Sequence, residues 1–80
     1  MENNLVIEVN LSIVNSGGEE RLPEVIEAID QALNQKFPGA KISVRKGFFK
    51  TIDGISSSDY YVEGEVRDLV KIVRERVLNS

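Results

Sequence analysis

The stretch GFFKTIDGISSSDYYVEG, residues 47–64, decides the fold, because the chain on either side of it has a plain pattern. YYVEG, residues 60–64, is rich in strand formers and is expected to be a third strand. Upstream of it, Asp53-Gly54 is a hairpin-turn dipeptide flanked by Ile52 and Ile55. The preceding strand is therefore expected to run past a bulge at Gly47 into a protruding arm. The alternative is that residues 47–59 form a mobile loop, which the serines at 56–58 favour.

Before this stretch, the chain reads as strand, helix, strand. In LVIEVNLSIV, residues 5–14, the apolar residues Leu5, Ile7, Val9, Leu11 and Ile13 alternate with Glu8, Asn10 and Ser12, as in a strand with one wet face. NSGGEER, residues 15–21, reads as a loop broken by paired glycines. No Lys-Ser/Thr follows Gly17-Gly18, so this is not a phosphate loop. From Leu22 the period changes to that of a helix, with Leu22, Val25, Ile26, Ile29 and Leu33 on one stripe and Pro23 in the first turn. Pro38-Gly39 ends the helix after Phe37. AKISVRK, residues 40–46, alternates again, placing Ala40, Ile42 and Val44 inward and Lys41, Ser43 and Arg45 outward. After residue 64, Val66, Leu69, Val70, Val73 and Val77 mark a second amphipathic helix.

The order is β-α-β-β-α. Each strand has one apolar face and each helix one stripe, so both helices are expected on the same face of a three-stranded mixed sheet, an α+β two-layer sandwich. The crossover rule makes strands 1 and 2 parallel, with strand 3 antiparallel to strand 2. Of Tyr60 and Tyr61, one is expected in the core and one on the open face. Phe48 and Phe49 are expected to close the end of the core.

The bulk properties narrow the function. A chain of 80 residues makes one domain, residues 1–80, with a thin core. It has no cysteine and no histidine, which removes disulfides, thiolate metal sites, imidazole ligands and every catalytic arrangement built on a His base. Carboxylates alone need a closed pocket to shift their pKa, so a non-enzymatic protein with no cofactor and no metal is expected. MENNLVIEVN has no basic segment typical of a secretory signal, and no apolar run reaches the ~18–20 residues of a membrane span, so a cytoplasmic location is expected. The charge is uneven: residues 1–39 hold two basic groups and seven acids, residues 40–80 eight basic groups and six acids, giving the net charge of −3.

With this element order the sequence resembles the DinI family, small bacterial proteins that modulate RecA in the SOS response. The residues that carry the resemblance are IEVNLSI at 7–13, Leu22-Pro23 opening the first helix, FPGAKISVR at 37–45, Gly64 after strand 3, and VKIVRERV at 70–77. The resemblance implies a DNA-repair regulator that binds a RecA-type filament without chemistry. In the family an acidic, aromatic C-terminal helix mimics the phosphate charge of DNA. By family position the contact residues here are Glu65, Asp68 and Glu75, and charge alone adds Glu24 and Glu27 on the first helix. The second helix read from Glu65 onward also holds Arg67, Lys71, Arg74 and Arg76, a net of +1, and the segment between Arg45 and Gly64 is longer than in the family.

A different class of function rests on the basic segment. Lys41, Arg45, Lys46 and Lys50, with Phe48 and Phe49 alongside, combine charge and stacking groups as single-strand nucleic-acid binders do. Lys41 and Arg45 also read as the wet face of a strand, where edge lysines discourage sheet-to-sheet pairing. A structural or designed domain without a partner is a third reading. A monomer is expected, with pairing of exposed strand edges as the route to a dimer.

Overall fold

The computed structural model describes residues 4–80, so the part of the N-terminal reading that concerns residues 1–3 lies outside the described residues. The elements are β1 (Val6–Leu11), α1 (Leu22–Lys36), β2 (Lys41–Lys46), β3 (Gly54–Ser57) and α2 (Tyr60–Leu78). The β-α-β-β-α order and the three-stranded mixed sheet are as expected. The strand order is β2-β1-β3, with β1 parallel to β2 and antiparallel to β3.

β1 is central, paired with β2 on one side and β3 on the other. Ile7, Val9 and Leu11 are fully buried, and they meet Leu22, Val25, Ile29 and Leu33 of α1 and Val66 and Val70 of α2 in one core. Ile42 and Val44 of β2 and Ile55 of β3 pack against that core from the two edges. Both helices therefore cover one face of the sheet, and Glu8, Lys41, Arg45 and Ser56 stand on the other.

Several expectations for residues 47–64 are corrected. YYVEG is not a strand but the first turn of α2. Asp59 caps that helix, its Oδ1 accepting the N–H groups of Tyr61 at 2.9 Å and Val62 at 3.4 Å. Such a cap satisfies amide donors that a helix start leaves free, and the stripe Val62, Val66, Leu69, Val73 then runs unbroken. Tyr60 and Tyr61 are consequently both 83% exposed, and neither is core. Gly64, which was expected to follow strand 3, lies inside α2.

The third strand is instead Gly54–Ser57, and it lies on the far side of β1 from β2. Asp53-Gly54 forms no primed hairpin turn, since both primed types need positive φ at the first central residue and Asp53 does not have it. Residues 47–53 form no protruding hairpin arm. They fold back over the end of β1, where the Lys50 carbonyl accepts hydrogen bonds from Ser12 Oγ at 2.5 Å and Val14 N–H at 3.1 Å. Asn15 Nδ2 donates to the Thr51 carbonyl at 3.2 Å. This crossing delivers β3 to the vacant edge of β1.

Candidate functional site

The crossing segment is locked by a polar cluster. Asp53 pairs with Arg74 of α2 at 2.8 Å, the side chains being 18% and 14% exposed, and its Oδ1 also accepts the Ser12 N–H at 2.7 Å. Ser12 Oγ in turn accepts the Asn15 N–H at 3.0 Å. Burial pushes the Asp53 carboxyl up, but the hydrogen bonds from Arg74 and Ser12 and the charge of Arg74 outweigh it and hold it below its ordinary value. The cluster ties the β1–α1 loop, the β2–β3 crossing and α2 together. Asp53 and Arg74 are thereby committed to the fold.

The β1–α1 loop closes against the end of α2. Gly17 has φ +84°, and a Cβ there would lie 2.8 Å from Leu78 Cδ2 and 2.9 Å from Arg21 Cβ. Arg21, at the start of α1, donates from Nη2 to the Val77 carbonyl at 2.9 Å and from Nε to Glu24 Oε1 at 2.6 Å. The end carbonyls of a helix lack intrahelical partners and carry partial negative charge, so a guanidinium suits that position.

The acids singled out on α2 form a crest. Glu65, Asp68 and Glu75 are all exposed, and at 3.6 residues per turn they fall within an arc of about 80°. Asp68 stands between two open grooves. One, of about 630 Å³, lies between α1 and α2 and is lined by Glu65, Leu69 and Ile72; the other, of about 550 Å³, lies beside Ile55 and is lined by Glu75, Lys71 and Leu78. Ile72 sits among these acids with 54% of its surface exposed. Glu65 reaches Lys36 at 3.7 Å, with both side chains about half exposed.

The helix charge also changes once its start is known. α2 includes Glu63, which pairs with Arg67 at 3.0 Å, while Arg74 is taken by Asp53. The net of +1 read from Glu65 onward becomes zero over Tyr60–Leu78, and two of its four cations face acids. Glu24 and Glu27 stand on α1 away from this crest, and neither lines the groove between the helices. The five acids are thus two separate groups.

The basic segment divides as well. Lys41 and Arg45 lie on the open face of β2, whereas Lys46 is on the helix side and approaches Glu19 at 4.0 Å. Among the described residues Lys41, Arg45 and Lys50 have no acid within 4.0 Å, and Arg45 donates to Ser43 Oγ at 2.9 and 3.2 Å. Phe48 and Phe49 do not close the core: they are 93% and 62% exposed, edge to face, with ring centroids 5.4 Å apart. Ile52 and Val14 are also exposed, at 62% and 59%. Sequence reasoning missed the Asp53–Arg74 lock, whose partners lie 21 positions apart and carry no local signature.

Among the described residues no cluster of three or more carboxylates is placed to hold a metal ion, and no helix is long and apolar enough to cross a membrane. No protein family, curated protein or solved structure matches this chain.

Proposed function

We propose that the protein is a small, cytoplasmic, non-catalytic regulator that docks on a RecA-type recombinase filament through the outer face of α2. The observation that carries this reading is the crest of Glu65, Asp68 and Glu75 around the exposed Ile72. An apolar residue ringed by charge is the arrangement of a small binding hot spot, with the rim setting orientation and encounter rate. The resemblance to DinI, carried by residues 7–13, 37–45 and 70–77, supplies the partner. The internal pairing of Arg67 and Arg74 supports the same reading, because it removes two cations that would repel a basic surface. Docking places carboxylates where the filament would otherwise hold phosphate or a neighbouring subunit, and no bond is made or broken.

The test is co-sedimentation of the purified protein with RecA filaments on single-stranded DNA, beside a control with DNA alone. More protein is expected to pellet with the RecA filament than with DNA alone, and the triple reversal Glu65→Lys, Asp68→Lys, Glu75→Lys is expected to abolish that excess. An excess over DNA alone that survives the triple reversal, or no excess at low salt, overturns the reading.

A further inference from the structure

A second surface lies on the opposite side of the molecule, and its chemistry differs from that of the α2 crest. We infer that the open face of β2, together with the tip of the β2–β3 crossing, is a track for single-stranded nucleic acid. Lys41 and Arg45 would contact phosphates, and Phe48 and Phe49 would stack bases beside Lys50.

Two exposed neighbouring aromatics cost a folded protein apolar surface in water, and contiguous exposed apolar groups mark interaction sites. Phe48 contributes nothing to the core, since 93% of its surface is free. The backbone beneath it is nevertheless held, because the Lys50 and Thr51 carbonyls accept hydrogen bonds from Ser12, Val14 and Asn15. The rings are thus presented on an anchored segment at little further entropic cost. A nucleobase has a π-face whatever its identity, and stacking on an aromatic side chain is worth ~1–3 kcal/mol per base.

The cations select the partner. Lys41, Arg45 and Lys50 have no acidic partner within 4.0 Å among the described residues, whereas Lys46, on the other face, approaches Glu19. Lys41 and Arg45 are four residues apart on one face of a strand that rises ~3.3 Å per residue, so their backbones are ~13 Å apart along β2. That row leads from the far end of the strand toward the tip. An anionic bilayer would engage the tip alone and leave Lys41 at the distant end of the strand. A flexible polyanion follows the whole row. Glu8, on the neighbouring strand, bounds the track on its inner side and confines it to the outer half of the sheet face.

The experiment is fluorescence anisotropy of a labelled oligothymidylate titrated with the full chain at several salt concentrations, with flotation on phosphatidylserine vesicles in parallel. Wild type is expected to bind the oligonucleotide with a log–log salt slope of about −2, from three cations on a single strand. Phe48→Ala with Phe49→Ala is expected to weaken binding roughly 10-fold or more with the slope retained. Lys41→Glu with Arg45→Glu is expected to lower both affinity and slope. All four residues are exposed, and circular dichroism of each variant verifies that the fold persists. The triple reversal on α2 should leave oligonucleotide binding intact, which separates this surface from the filament contact. No binding at low salt, binding indifferent to the two phenylalanines, or capture by vesicles with no binding to the oligonucleotide each overturns the inference.

Discussion

At the residue scale, Asp53 is the most informative position, since a single carboxylate joins three segments of chain. Its folded-state pKa lies below its ordinary value, so the stabilisation is complete above the unfolded value of about 4 and is lost as pH falls through the folded one. Asp53→Asn keeps an acceptor for the Ser12 N–H but loses the charge opposite Arg74. It should cost about 1–3 kcal/mol at neutral pH in urea unfolding, and the gap to wild type should narrow as pH falls below the unfolded value of about 4. A gap that stays constant with pH would show that the pair does not titrate with folding. The adjacent glycines make a second comparison. Gly17 and Gly18 both have positive φ, but only Gly17 is crowded, against Leu78 and Arg21. Gly18→Ala should cost about 1 kcal/mol for backbone strain alone, and Gly17→Ala clearly more. Ser16 is fully buried and its hydroxyl has no partner among the described residues. Ser16→Ala should therefore be neutral or stabilising by up to about 1 kcal/mol, since it removes a desolvated group that has no bond to lose.

At the scale of elements, the start of α2 governs the rest. Tyr60 and Tyr61 favour strand by propensity, yet the Asp59 cap and the continuous stripe from Val62 to Val77 prevail. Propensity differences are a few tenths of a kcal/mol per residue, whereas a good N-cap contributes about 1 kcal/mol and the buried stripe more. Two substitutions test this by thermal unfolding and far-ultraviolet circular dichroism. Asp59→Ala should destabilise by about 1 kcal/mol with loss of helical signal. Gly64 is exposed within the helix and has nothing within 4 Å of a built Cβ, so Gly64→Ala should stabilise by about 0.5–1 kcal/mol. A destabilising Gly64→Ala would argue against a helix through residue 64.

For the whole molecule, the strand order sets which surfaces are free. Ser58 donates its N–H to the Val6 carbonyl, and the antiparallel ladder then turns the amides of Ile55 and Ser57 outward. On the opposite edge Lys41 donates to the Leu5 carbonyl and Gly47 to the Leu11 carbonyl, so the amides of Ile42 and Val44 face outward. Hydrogen exchange should protect Ile7, Val9 and Leu11 most strongly and leave Ile42, Val44, Ile55 and Ser57 fast. Protection of Ile42 and Val44 in dilute monomer would indicate a β2–β3 pair and a different order. Among the described residues both edges are free, and Glu65, Asp68 and Glu75 on the α2 crest lie on a different side of the molecule from Lys41, Arg45 and Lys50, which have no acid within 4.0 Å. That polarity is what the two proposed contacts use.

The amino-acid sequence by itself determined the class of fold. It also marked β1, α1 and β2, the stripe of α2 from Val66 onward, and the residue types that could bind a partner. Those features are written in periods of two and 3.6 residues, which act between near neighbours and so survive in a one-dimensional reading. Residues 47–64 had no such period, and Asp53-Gly54 and the two tyrosines pointed locally the wrong way. Their structure was decided by partners distant in the chain, Arg74 and Ser12 for Asp53 and the vacant edge of β1 for residues 54–57. For the same reason only the tertiary structure separated Lys46 from Lys41 and Arg45, and Glu24 and Glu27 from the α2 acids. Which charges share a surface depends on strand order and helix packing, and these minimise exposed apolar area and unpaired polar groups over the whole chain at once.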